Sequence, residues 1–228
     1  MSKSTVPTPT TAALAAQASA SRNRWLIIGG AALFILVFFL RFSASLEPKA
    51  QATQLAQELG AEVDLGEVPA GALGIALEDP SRPGATRKLG EFTTSKDLIV
   101  LHFWAGWCPP CMEELPQFGS IAVSTMDRQV QFLGVSYDQS WDDAQKALQK
   151  ATNNPRPPGV VWLRDPAGQD GDPKAMLRLK FGTEQLPETY LIYQGRILAR
   201  FVGSAAWTGP KMLQIFQLLA PPRTPGPT

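Results

Sequence analysis

Apolar positions along the 228 residues follow three different rhythms. From Trp25 to Leu40, "WLIIGGAALFILVFFL", they run on without a charged residue. As a helix this stretch reaches roughly 24 Å, and Arg41 snorkelling together with Phe42 makes up the shortfall to a ~30 Å hydrocarbon core. Apolarity on every side, next to a polar leader, predicts a membrane anchor over 25–41 rather than a core helix. In the second rhythm, Ala52, Leu55, Ala56 and Leu59 recur at helical spacing and predict a short amphipathic helix ending at Gly60.

The third rhythm is an alternation of short β-branched or aromatic runs with helical stretches. "GALGIALEDPSRPGATRKLGEF" has apolar pieces around a Pro/Gly-rich turn and predicts a β-hairpin. "LIVLHFW" (Leu98 to Trp104) predicts a buried strand, and "PPCMEELPQFGSIAVSTM" a helix with a proline in its first turn and a kink at Pro116. "VQFLGVSY" and "VVWLRD" predict two more strands, and "WDDAQKALQK" a helix capped by Ser140. "PKAMLRLKF" predicts a helix closed by Gly182. "TYLIYQ" and "RILARFV" predict a hairpin turning at Gly195, followed by the helix "PKMLQIFQLL". Strands alternating with helices, then a hairpin and a helix, predict an α/β sandwich: a mixed central sheet flanked by helices. The expected organisation is a disordered cytoplasmic tail (1–24), the anchor (25–41), a spacer (42–66), one folded domain (67–220) and a second disordered tail (221–228).

Charge changes this picture in two ways. A formal net charge of +1 without a basic run excludes nucleic acid as a partner. Lys3, Arg22 and Arg24 precede the anchor, which places the N-terminus in the cytoplasm and the bulk of the chain outside it. A cleaved signal peptide competes with a retained anchor, because "SAS" at Ser43 to Ser45 offers a small-residue cleavage site, although the leader is long for one.

The candidate chemistry is concentrated in "FWAGWCPPCMEELP", Phe103 to Pro116, which holds both cysteines of the chain, Cys108 and Cys111. A structural staple closing so small a loop removes only about 2 kcal/mol of unfolded-state freedom in the chain-entropy estimate. A structural zinc site needs four ligands, and only one histidine accompanies the two thiols. Two-thiolate copper(I) binding stays open, because soft ligands suit that ion. Redox catalysis suits the surroundings best. Cys108 lies where a strand gives way to a helix, whose amide groups and dipole favour a thiolate there. Cys111, one turn on, can resolve the resulting mixed disulfide in an intramolecular step.

The stretch "FWAGWCPPC" resembles the active-site strand, turn and helix of thioredoxin-like proteins. With the anchor, "CPPCMEELP" and "QLPETYLIYQGRI", the resemblance narrows to the membrane-anchored TlpA/ResA/CcmG-like thiol-disulfide oxidoreductases, over about residues 67 to 220. It implies a dithiol enzyme facing the periplasm or cell exterior, whose redox-active group is the Cys108–Cys111 pair with no further cofactor. Its expected role is to reduce a protein disulfide, such as that of apocytochrome c, and to be recharged by a membrane-embedded thiol donor. A dithiol oxidant and a copper(I) chaperone for an oxidase metal centre are the alternatives.

The resemblance also assigns residues. Pro187 is the expected cis-proline facing the sulfurs, with Leu186 before it. Glu114 matches a glutamate associated with proton handling, and Glu188 one that lies close to the active site. Trp107, Pro109 and Pro110 adjoin the dithiol and join Leu186 and Glu188 as expected substrate contacts. His102 departs from the family, which carries aspartate or asparagine there, and is a candidate proton acceptor. Glu113 is read as a solvated helix residue, and Trp104 and Asp165 as structural.

Overall fold

The computed structural model describes residues 33–38, 48–82, 84–93, 97–166 and 176–223. The chain divides into two compact units, residues 1–47 and Pro48–Thr228. Within the first, residues 33–38 are helical and expose their apolar side chains. The remainder of the anchor predicted over 25–41, and the tail predicted over 1–24, lie outside the described residues. Among the described residues no helix is long and apolar enough to cross a membrane.

The second unit is built on one eight-stranded sheet in the order β1-β8-β7-β4-β5-β6-β2-β3. Its strands are β1 (Glu62–Glu67), β2 (Ala76–Glu78), β3 (Thr86–Lys88), β4 (Leu98–Trp104), β5 (Val130–Ser136), β6 (Val160–Arg164), β7 (Glu188–Tyr193) and β8 (Arg196–Val202). The helices are α1 (residues 48–58), α2 (Ala70–Leu73), α3 (Gly90–Thr93), α4 (Pro109–Ser124), α5 (Trp141–Thr152), α6 (Leu177–Lys180) and α7 (Pro210–Leu219). Strands β4, β5 and β6 are parallel, while β7 runs antiparallel to β4 and β8 to β7, so the sheet is mixed as expected.

The centre of the sheet is β4, buried at all seven positions. A strand covered on both faces needs apolar side chains in both directions, which is why "LIVLHFW" shows no alternation. Neighbouring residues nevertheless serve opposite faces. His102 stacks on Phe118 of α4 at 4.4 Å, and Phe118 also meets Phe132, Trp162 and Trp207. Phe103 packs instead against Tyr137, Phe181 and Tyr190. Gly134 on β5 carries no side chain because a Cβ would lie 2.4 Å from the Trp162 ring.

Local signals account for most boundaries. The Ser140 hydroxyl accepts the Asp143 amide at the start of α5, and Asn153 closes that helix in the left-handed conformation. Gln194 and Gly195 both take positive φ between β7 and β8, the backbone of a tight hairpin turn. Pro116 sits inside α4, which runs on uninterrupted to Ser124.

Two boundaries differ from expectation. The spacer assigned to 42–66 is part of the folded unit wherever it is described, and that unit begins at Pro48 rather than 67. Ala52 and Ala56 of α1 are fully buried in the core, and β1 pairs with β8 along the sheet edge. The sequence of β1, "EVDLGE", is too polar to announce a strand; the free edge of β8 makes it one. The predicted hairpin forms as β2 and β3, with the short helices α2 and α3 on either side. Finally, the tail expected from residue 221 is tied down at its start. Pro221 accepts the Gln129 amide, and the Arg223 amide reaches Asp127.

Candidate active site

The loop between β4 and α4 brings the two cysteines to the rim of the sheet. Cys108 is the N-cap of α4, and a disulfide joins it to Cys111 with the Cα atoms 5.3 Å apart. The first two helical positions are Pro109 and Pro110, which have no N–H to offer. The first amide donor of the helix is therefore that of Cys111, and it points at the Cys108 sulfur at 3.3 Å. Sequence alone suggested several amides facing this sulfur; the prolines reduce them to one, backed by the dipole of a sixteen-residue helix. Trp107, Pro109 and Pro110 are exposed around the pair, whereas Cys111 is fully buried beneath them.

The loop itself is held from below. The Gly106 amide donates to both carboxylate oxygens of Asp138, at 2.9 and 3.0 Å, and Asp138 also accepts from the Ser136 hydroxyl. A side chain at Gly106 is excluded, since its Cβ would stand 2.6 Å from that of Ala147. Burial raises the Asp138 carboxyl above its ordinary range, against the hydrogen bonds from Gly106 and Ser136. Sequence reading missed Asp138, and its only trace was an aspartate shortly after a strand.

One turn along the buried face of α4 from Cys111 stands Glu114, itself 3% exposed. One carboxyl oxygen accepts the Ala205 amide at 2.9 Å and the Trp207 indole N–H at 3.3 Å. The other lies 3.5 Å from Nε2 of His102. This contact joins two neutral groups near pH 6 and is no ion pair. Burial pushes the Glu114 carboxyl up to about 7, against the two hydrogen bonds, and pushes the His102 imidazole down to about 3. Nδ1 of His102 meets the Thr189 hydroxyl at 2.9 Å. Ala205, Trp207 and Thr189 had no signal in the sequence, because each reaches the site from a distant element.

Pro187 is buried and follows a cis peptide bond from Leu186, and its carbonyl accepts the Gly203 amide. The segment that continues from Gly203 bears on the site twice, through Ala205 and through the Ser204 hydroxyl, which donates to the Pro110 carbonyl at 3.2 Å. Trp107, 66% exposed, stands between two clefts. One is lined by Tyr137, Met176, Arg178 and Leu186, the other by Met112, Asp143, Lys146 and Lys150.

Glu188 does not join this group. It faces the side of the sheet opposite His102, where its carboxylate accepts from Arg200 at 2.8 Å, from the Thr183 hydroxyl at 2.7 Å and from the Tyr190 hydroxyl. Neither water nor a substrate contact is needed to satisfy it. Glu113 is exposed, and Trp104 is a core residue crossing Trp162 edge to face. Asp165, buried, accepts from the Tyr137 hydroxyl and the Leu177 amide and so starts α6. Among the described residues no group of three or more His, Cys, Asp or Glu could hold a metal ion.

The chain is similar to known proteins in sequence and in fold. The AhpC/TSA family profile matches residues 72–200. The chain is 30% identical to the thiol:disulfide interchange protein DsbE of Pseudomonas aeruginosa over 148 residues, 63% of this chain and 74% of the relative. It is 30% identical to the thiol:disulfide interchange protein HelX of Rhodobacter capsulatus over 105 residues, spanning about half of that protein (51%) and 46% of this chain. A crystal structure of a thiol:disulfide interchange protein DsbE from Chlorobium tepidum shares the fold. Its TM-score is 0.52 at 24% identity, covering 69% of this chain and 99% of that one.

Proposed function

The chain belongs to the AhpC/TSA family, and from that premise we propose that it is a thiol-disulfide oxidoreductase that reduces protein disulfides outside the cytoplasm. The observation that carries the reading is the placement of two bonded sulfurs at a helix start. Cys108, itself only 4% exposed, caps the helix among the exposed Trp107, Pro109 and Pro110, and Cys111 is fully buried one turn before the buried carboxyl of Glu114.

In the reduced enzyme the Cys108 sulfur, favoured as thiolate by the helix terminus and the Cys111 amide, attacks one sulfur of a substrate disulfide. A Cys108–substrate disulfide forms, and the first substrate sulfur leaves as a thiolate that takes a proton from water. Cys111 then gives its proton to Glu114 and attacks the Cys108 sulfur. The mixed disulfide breaks, the Cys108–Cys111 bond forms, and the second substrate thiol leaves carrying one proton. Two electrons and two protons have passed to the substrate. Trp107 and Leu186 line the approach and Pro187 flanks it, which is where an extended substrate segment would lie.

Residues 25–41 supply the membrane tether and Lys3, Arg22 and Arg24 its orientation, so the domain works on the far side of the cytoplasmic membrane. The resemblance points to apocytochrome c awaiting haem as the substrate, and to a membrane-embedded thiol carrier as the source of electrons.

A Cys111→Ser protein is expected to accumulate a mixed disulfide with its client, whereas Cys108→Ser traps nothing. The wild-type potential is expected below about −200 mV; a value near about −120 mV would make the protein an oxidant instead.

A further inference from the structure

His102 Nε2 and Glu114 Oε1 face each other at 3.5 Å inside the protein, and among the described residues neither atom has another hydrogen-bond partner. A buried polar atom left without a partner is destabilising, and two such atoms that face each other can be satisfied together by one proton held between them. Every other polar atom of the two side chains is occupied. Glu114 Oε2 accepts from Ala205 and Trp207, and His102 Nδ1 is bonded to the Thr189 hydroxyl.

Strand β4 contributes His102 and helix α4 contributes Glu114 and Phe118, with Cys111 three positions before Glu114 on the same helix. Strand β7 adds the Thr189 hydroxyl, and the segment before α7 adds the Ala205 amide and the Trp207 indole. Among the described residues no lysine or arginine pairs with either side chain.

The Thr189 hydroxyl makes this arrangement adaptable, because a hydroxyl can donate or accept. When Glu114 is ionised, Thr189 donates to Nδ1, the imidazole proton sits on Nε2, and it is offered to the carboxylate. When Glu114 is protonated, the imidazole proton sits on Nδ1 and is offered to Thr189, which frees the Nε2 lone pair to accept the carboxyl O–H. A neutral imidazole thus has a matching tautomer for each state of its neighbour.

We infer that His102 is a positioning residue for the resolving step: neutral throughout, it holds Glu114 in hydrogen bond as carboxylate through its Nε2–H and as acid through its Nε2 lone pair, the Thr189 hydroxyl donating to Nδ1 in the first case and accepting from it in the second. The inference rests on the proposed dithiol chemistry and deepens it. Glu114 takes the proton that Cys111 must lose before its sulfur attacks Cys108, and gives it up as the substrate thiol departs. His102 contributes no proton of its own to that balance.

The test uses the full-length chain, reduced, in stopped-flow reaction with 5,5′-dithiobis(2-nitrobenzoate). Attack by Cys108 releases one thionitrobenzoate, and resolution by Cys111 releases the second. His102→Phe keeps the stack on Phe118 but removes both ring nitrogens. It is expected to slow the second release about tenfold at neutral pH while leaving the first within about twofold, and to raise the Glu114 carboxyl midpoint, followed by carbon NMR, by about one unit. His102→Gln, whose amide can donate or accept, is expected to recover the second release to within about threefold of wild type. In the wild type the His102 ring nitrogens and the Glu114 carboxyl are expected to report one shared midpoint, a readout that needs no variant to fold.

An unchanged second release in a folded His102→Phe protein would overturn the inference. So would a Gln variant as slow as the Phe one, or separate midpoints for the two groups. Absence of the first release in wild-type protein would instead bring down the dithiol reading itself.

Discussion

The amide of Gly106 sits on the carboxylate of Asp138, with both oxygens within 3.0 Å, so the loop that presents Cys108 is fastened from below to a buried side chain. Asp138→Ala leaves that amide unpaired and opens space under the loop. The expected cost is about 2 kcal/mol, a fall in Tm of roughly 4–8 °C for a unit of this size. Calorimetry checks the stability, and alkylation of reduced Cys108, expected to slow with loss of its fixed position, checks the link to function. Asp138→Asn, which keeps one acceptor, should fall between the two.

Glu114 makes stability depend on pH in a defined direction. Its folded pKa of about 7 lies above its ordinary 4.5, so between those values the folded chain holds a proton that the unfolded chain has released. That contribution is fully present below pH 4.5 and is lost as pH rises through 7, a change on the order of 3 kcal/mol. His102 acts in the opposite sense. Its folded pKa of about 3 lies below the ordinary 6.5, so its contribution is lost as pH falls from 6.5 towards 3. In wild type the two nearly cancel between pH 4.5 and 6.5. Glu114→Gln removes only the first, so its stability relative to wild type should improve steadily from pH 4.5 to 7. Denaturant titrations across that range decide the matter, and a flat difference would contradict the assignment.

Trp107 offers a large aromatic surface to solvent between two clefts, and no packing role accounts for its position. Trp107→Ala is expected to shift stability by less than about 0.5 kcal/mol and to raise KM for a protein disulfide about tenfold or more, since exposed aromatics dominate recognition surfaces. Steady-state reduction of insulin, compared with thermal unfolding, separates the two effects.

Glu188 should behave as a structural residue. Its fully buried carboxylate is the meeting point of Arg200, Thr183 and Tyr190, and Arg200 also reaches Glu62 on β1. Glu188→Ala therefore costs about 3 kcal/mol, moderated because the guanidinium can still reach water. The measurement is urea unfolding. A raised KM without loss of stability would return Glu188 to the substrate surface.

The sequence by itself determined the elements whose signals are local. Continuous apolar character marked Leu98–Trp104 as a buried strand, helical spacing marked Pro210–Leu219, and Gly195 marked the turn of the hairpin, to which the structure adds Gln194. The dithiol was legible for the same reason, since its chemistry depends on residues within one turn of each other and on a helix start that two prolines announce. These properties are set by neighbours a few positions apart, and no long-range contact is needed to read them.

Only the tertiary structure decided what surrounds the sulfurs. Glu114 receives its hydrogen bonds from residues 91 and 93 positions away, and His102 finds Thr189 at a separation of 87. Whether His102 or Phe103 faces α4 depends on which face of β4 that helix covers, and alternation alone leaves the two choices equal. The polar strand β1 exists because β8 had an edge to pair, and Glu188 left the substrate surface because Arg200, on the neighbouring strand, could neutralise it in the interior. Hydrogen bonds and burial are satisfied by partners that topology delivers, and topology is a property of the whole folded unit.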